Sequence, residues 1–151
     1  MSKILFKIAT PERIVFEEKI DQITLPTKMG EITLLPNHLP LVSTLIPGEI
    51  LFKIDKEEIP MVVSGGFVEF NNNTLTILAD TAEKVEEIDE KRAEEGRQKA
   101  KELLDKKQDM AEVDFVALSS QMEKELARLR VIRKYKKLKP RLEIKREEDN
   151  N

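Results

Sequence analysis

The sequence contains no cysteine. That excludes disulfides and thiolate metal ligands, and it fits a reducing compartment. It contains one histidine, His38, so the several His and Cys ligands of a usual zinc site are not available and no metal is expected. Nowhere do apolar residues run for the roughly 18 positions that a membrane span requires. The N-terminal stretch MSKILFKIATPERIVF has too short an apolar run and too many charges for a secretory signal. The expectation is a soluble, intracellular chain without direct membrane insertion.

Glycine and proline are scarce in the second half. Four of five glycines and six of seven prolines precede residue 85, leaving Gly96 and Pro140 after it. The first half reads as strands. In KILFKIAT, Ile4, Phe6 and Ile8 repeat with a period of two. Further short strand-like runs follow at regular spacing, which indicates a sandwich or barrel. DKEE (55–58) and NNN (71–73) read as hairpin loops, because Asp and Asn tolerate the backbone angles of tight turns.

His38 lies in LLPNHLPLVSTLIPG (34–48). Pro36, Pro40 and Pro47 cannot donate to a sheet ladder, so they belong at strand ends and edges. His38 is therefore expected on a loop or at a strand start. Ser43 and Ser64 lie in no nucleophile-elbow pattern, so the chemistry of a hydrolase has no support and no catalytic residue is expected. SGGF (64–67) is not a phosphate loop, because its glycines lead into another strand and not into a helix N-terminus. A bulge or a close backbone approach is the better reading.

The second half reads as two helices, over 88–107 and from 114 to about 139, with QDMAEV (108–113) as the turn. Asp89 and Asp114 are candidate N-caps, and Pro140 stops the second helix. The second helix carries Phe115, Leu118, Met122, Leu126 and Leu129 as one apolar stripe. The first carries Ala93, Gly96 and Ala100 at matching spacing. Gly96 costs about 1 kcal/mol relative to Ala inside a helix; small residues there let the second helix approach closely. Such a pair buries little and is only marginally stable alone.

Net charge is -3, unevenly spread. Residues 130–146 hold nine bases and one acid, a segment of +8 on a body of -11, which suggests an acidic partner. A nucleic-acid-binding module using this basic helix is the alternative function. Against it, Tyr135 is the only aromatic among those cations and the body is acidic, so no nucleic-acid partner is expected.

The stretches TPERIVF, GEITLLPNHLPLVSTLIPG, VSGGFVEF, LTILADTAE, IDEKRAEE and LRVIRKYKK occur in this order. Between about residues 3 and 137 the chain resembles the epsilon subunits of bacterial F-type ATP synthases, counterparts of the mitochondrial delta subunit. The resemblance agrees with the α+β reading: an N-terminal all-β sandwich or flattened barrel (1–86), then a C-terminal antiparallel two-helix hairpin (87–139). Residues 140–151 are expected to be a disordered charged tail. The resemblance implies a non-catalytic rotor subunit on the cytoplasmic face of the bacterial cell membrane. Its sandwich would contact the gamma subunit and the c-ring near Glu31, Pro36, His38 and Pro40. Its hairpin would act as a brake on ATP hydrolysis, with Arg130, Arg133, Lys134, Lys136 and Lys137 meeting the catalytic-head alpha and beta subunits. No cofactor is required, but the motif Ile88-Asp89-Glu90-Lys91-Arg92-Ala93 implies ATP as a regulatory ligand, with Glu83, Lys99, Lys124 and Arg128 assisting. Lys99 and Lys124 stand where ATP-binding members carry Arg, and Lys lacks the bidentate fork. Read without the resemblance, Asp89 caps the helix and Arg92 pairs with it.

Overall fold

A computed structural model of the chain describes residues 2–106 and 111–136. The chain divides into two compact units, Met1–Glu87 and a second beginning at Ile88.

The first unit is built from ten strands: β1 (Ile4–Ala9), β2 (Ile14–Ile20), β3 (Gln22–Thr27), β4 (Gly30–Leu34), β5 (Leu41–Leu45), β6 (Gly48–Ile54), β7 (Glu57–Val63), β8 (Gly66–Asn71), β9 (Thr74–Ala79) and β10 (Ala82–Lys84). Their order is β10-β7-β6-β3-β5-β8-β9-β1-β2, with β4 paired to β3. The β1–β9 pair is parallel, whereas the other pairs are antiparallel. The sheet folds over into a nearly closed sandwich around one core. Phe6 on β1, Phe16 on β2 and Phe52 on β6 meet with ring centroids 4.8–5.6 Å apart. These rings join the β1–β2 end of the strand order to β6 across the interior.

Period-two alternation decides which side chains enter the core. Ile4, Phe6 and Ile8 are fully buried, as are Leu75 and Ile77. Both predicted hairpin loops are present but tighter than the stretches that marked them. The first is Asp55-Lys56 and the second Asn72-Asn73; Glu57 and Glu58 already belong to β7. Asp55, Asn72 and Asn73 have φ of +56°, +49° and +56°. These left-handed angles are ones that Asp and Asn accept at low cost. SGGF holds the close approach expected of it. Gly66 has φ +145°, and a Cβ there would lie 2.1 Å from the Leu78 carbonyl oxygen.

The second unit contains α1 (Glu90–Asp105) and α2 (Glu112–Lys136), packed along each other. Asp89 caps α1 as expected, its Oδ1 accepting from the amides of Lys91 at 3.0 Å and Arg92 at 3.2 Å. Asp114 does not cap α2. The helix starts two residues earlier, with the Phe115 amide bonded to the Ala111 carbonyl, and Asp114 lies in the first turn. A carboxylate is favoured at both positions because the unpaired N–H groups and the helix dipole reach both. Of the turn expected at 108–113, Glu112 and Val113 are helical, and residues 108–110 lie outside the described residues. The apolar stripe of α2 also differs from expectation. Leu126 is exposed, and the position it was expected to fill belongs to Glu125, which is 6% exposed. The expected stop at Pro140 and the tail 140–151 lie outside the described residues.

Candidate functional site

Two surfaces carry the residues singled out by the sequence. The first is on the sandwich. Glu31 is the second residue of β4, opposite Pro26, and is exposed. Pro36, His38 and Pro40 lie on the loop between β4 and β5, with His38 and Pro40 exposed. A turn closes when the His38 amide donates to the Leu35 carbonyl at 3.2 Å. The His38 ring lies edge-on to Phe70, centroids 6.0 Å apart, and its Nδ1 is 2.8 Å from the Leu39 carbonyl oxygen. Nothing in this setting resembles a base poised beside a nucleophile.

A clasp missed by sequence reasoning fixes that loop. The Asn37 amide donates to Asn73 Oδ1 at 2.5 Å, and Asn73 Nδ2 donates to Asn37 Oδ1 at 3.0 Å. The loop is thereby tied to the β8–β9 turn. Asn37 takes φ +69° to make the fit.

A second missed feature is an outward apolar row. The register aligns Thr44 with Phe67, Phe67 with Leu78, Leu78 with Ala9, and Ala9 with Ile14. Phe67 is 62% exposed, Leu78 59% and Ile14 53%, with Val42 beside them at 75%. The signal was available in the sequence. Phe67 and Leu78 fall out of phase with the buried Val68, Phe70, Leu75 and Ile77, so they are apolar residues on the solvent side.

The second surface is the start and inner face of the helical pair. Arg92 Nε lies 3.8 Å from Asp89 Oδ2 and Arg92 is 86% exposed along its side chain. Ala93 is fully buried and Ile88 half-buried; Lys99 is exposed and Lys124 half-buried. Glu83 lies on β10 in the first unit, paired opposite Val62. Arg128 Nη1 donates to both carboxylate oxygens of Glu125, at 3.2 and 3.3 Å. Along α1, Arg92 and Lys99 flank Gly96. Along α2, Lys124 and Arg128 flank Glu125. Gly96 and Glu125 are in contact.

Further along, Glu94 accepts from Arg97 and faces Arg133 of α2 at 3.7 Å. The Arg97 hydrogen bond holds the Glu94 carboxyl below its ordinary range against the opposing effect of burial, with lesser contributions from the charges of Arg97 and Arg133. Glu94 in turn raises Arg97. Arg130, Arg133 and Lys134 all lie exposed on α2. Lys136 is the last helical residue, and Lys137 lies outside the described residues.

Residues 3–85 match the family described as "ATP synthase, Delta/Epsilon chain, beta-sandwich domain". Residues 86–133 match "ATP synthase, Delta/Epsilon chain, long alpha-helix domain". The chain belongs to the delta/epsilon family of ATP synthase central-stalk subunits. The ATP synthase epsilon chain of Herpetosiphon aurantiacus is 38% identical over 130 residues, covering 84% of this chain and 96% of that one. That of Chloroflexus aggregans is 40% identical over 133 residues, covering 88% and 94%. Among solved structures, a chain of the Euglena gracilis mitochondrial ATP synthase (OSCP/F1/c-ring) matches with TM-score 0.71 and 22% identity. It covers 84% of this chain and 79% of that chain. At that identity the likeness speaks for the fold. As an epsilon subunit, the chain is part of a membrane-associated complex. Among the described residues, no helix is long and apolar enough to cross a membrane.

Proposed function

We propose that this epsilon subunit is a non-catalytic rotor component whose sandwich joins the gamma subunit to the c-ring. Its helical pair opposes ATP hydrolysis when it opens toward the alpha and beta subunits of the catalytic head. The complex would hold it as a peripheral subunit on the cytoplasmic face of the bacterial cell membrane.

The outward row of Phe67, Leu78, Ile14 and Val42 is the observation that carries the docking part. Four large apolar side chains more than half exposed on one sheet face are what a protein interface uses. The row is assigned to gamma. The clasped loop with Glu31, Pro36, His38 and Pro40 is assigned to the contacts near the c-ring. The brake reading is supported by the exposed cations Arg130, Arg133 and Lys134 on a helix that belongs to a separate compact unit. Exposed cations attract acidic segments with a strength that falls as salt rises.

ATP is proposed as the ligand that favours the closed pair, through Ile88, Asp89, Arg92, Ala93, Lys99, Lys124 and Arg128. Its phosphates would compete with Asp89 for Arg92 and with Glu125 for Arg128. ATP shifts the equilibrium only by its differential affinity for the closed and open pairs.

The test is a reconstituted catalytic head carrying either the full chain or a chain ending at Glu87. The truncated chain is expected to bind gamma and to leave hydrolysis uninhibited. Inhibition equal to that of the full chain would overturn the brake. Loss of gamma binding on truncation would overturn the docking assignment.

A further inference from the structure

Thr27 and Glu125 are the buried polar side chains among the described residues, and Glu125 is the charged one. Its place is unusual for an acid. On α2 it sits between Met122 and Leu129 at the spacing of the apolar stripe. Across the pair it meets Gly96, where an added Cβ would come within 3.1 Å of both Glu125 Cδ and Oε1, and within 3.2 Å of Cγ. The carboxylate end therefore occupies the gap that the missing side chain of Gly96 leaves. Ala93 and Ala100 are buried one turn to either side.

We propose that Glu125, seated against Gly96, is the release point of the helical pair and sets the balance between its closed and open forms. In the closed form the carboxylate is removed from water and compensated in part by Arg128. Opening rehydrates it. An apolar residue of the same length would carry no such penalty, and replacing a buried ion pair by apolar groups often stabilises a fold. Arg128 keeps 21% of its side chain in solvent, so loss of Glu125 does not strand a fully buried cation. Opening also releases Arg133 from Glu94 on α1, 3.7 Å away when closed. A cation of the basic face is therefore engaged within the pair until the pair separates. The consequence for the brake rests on the function proposed above; the release point itself does not.

Gly96 makes the proposal testable by sign. Helix propensity alone predicts that Gly96→Ala stabilises α1. The contact predicts the opposite, because the new methyl group must displace a carboxylate held by Arg128. Removing that side chain with Glu125→Ala should restore the stabilising sign.

The experiment is amide hydrogen exchange, resolved by peptide, on the full-length chain. Glu125→Met is expected to slow exchange in α1 and α2 about tenfold or more, with sandwich peptides unchanged. Gly96→Ala is expected to accelerate exchange in the pair, and to slow it when combined with Glu125→Ala, relative to Glu125→Ala alone. Exchange of Glu125→Met at or above the wild-type rate would overturn the proposal. So would a Gly96→Ala effect of the same sign whether or not Glu125 is present, a readout that holds even where Glu125→Met does not fold. In the reconstituted head, Glu125→Met is expected to inhibit hydrolysis less than wild type. Slower exchange with unchanged inhibition would support the release point and overturn the brake.

Discussion

Gly66→Ala should unfold the sandwich at a much lower temperature, and the size of the effect can be built from two parts. The backbone at Gly66 has φ +145°. An L-residue held in such a region costs about 1–3 kcal/mol. The methyl group would then lie 2.1 Å from the Leu78 carbonyl oxygen and 2.8 Å from the Ala79 Cα. Neither atom can swing aside, because Gly66 is paired with Leu45 on β5 and with Ala79 on β9, and both neighbours are laddered. Forcing extra atoms into a packed site costs about 1–3 kcal/mol or more. The sum is about 2–6 kcal/mol, a large part of the roughly 5–15 kcal/mol of a whole domain. For a domain of roughly 60–100 residues, at about 4–8 °C per kcal/mol, the midpoint falls by at least about 8 °C. Gly65→Ala is the internal control. It has φ +120°, but its Cβ would meet nothing closer than the Leu45 carbonyl oxygen at 3.6 Å, so only the conformational part applies. The assay is calorimetry on the full chain, following the transition of the sandwich. A Gly66→Ala midpoint within about 4 °C of wild type, or a Gly65→Ala variant equally damaged, would refute the reasoning.

Two further outcomes are expected. Phe67→Glu combined with Leu78→Glu should weaken gamma binding at least about tenfold, since full burial of one such side chain is worth about 1.5–3 kcal/mol and about 1.4 kcal/mol is tenfold. The free sandwich should melt within about 0.5 kcal/mol of wild type because both side chains face solvent; equal affinity by surface plasmon resonance would move the interface elsewhere. The second concerns acid. Arg97 holds Glu94 below its ordinary carboxylate range, so the stability from this group is present above that range and is lost as pH falls through the depressed value. Helical circular dichroism should show Glu94→Gln melting below wild type near pH 7, with the difference shrinking as pH falls through the depressed value. A difference that grows on acidification would contradict the assignment.

The strand half was legible because its signals are local. Period two placed Ile4, Phe6 and Ile8 inward. Asp and Asn marked the two hairpin turns, and a glycine pair leading into a strand marked a close approach. What was not legible depends on pairing at a distance. β10 is three residues, two of them charged, and it exists because Ala82–Lys84 pair with Met61–Val63 of β7. No local pattern announces the parallel β1–β9 pair or the Asn37–Asn73 clasp, which joins residues 36 apart. The helical half divides in the same way. Asp89 as a cap follows from position alone. The partner of Arg128 and the neighbour of Gly96 do not, because a stripe drawn by hydrophobicity passes through Leu126 and skips an acid. Glu125 enters that stripe only because α1 offers a gap opposite it.

The two units differ in what holds them together, and the difference bears on which of them moves. The sandwich core is a continuous cluster of buried apolar side chains on all ten of its strands. Each costs about 2–5 kcal/mol to truncate, and every strand is laddered to at least one other, so the sandwich has no inexpensive partial opening. The helical pair meets at Ala93, Gly96 and Ala100 of α1 and a carboxylate of α2, with Leu129 and Ile132 on the same face toward one end of α2. Alanine–glycine contact brings backbones close but removes little apolar area from water, and at about 25 cal/mol per Å² small areas mean small penalties for separation. Regions with few buried apolar contacts occupy the low end of the range of local opening free energies. A subunit that must stay docked while part of it rearranges needs this division, with a stiff platform and a pair of helices whose contact is weak by composition. Lengthening the small residues of α1 to fill the gap would be expected to strengthen the pair only where the acid opposite has also been removed.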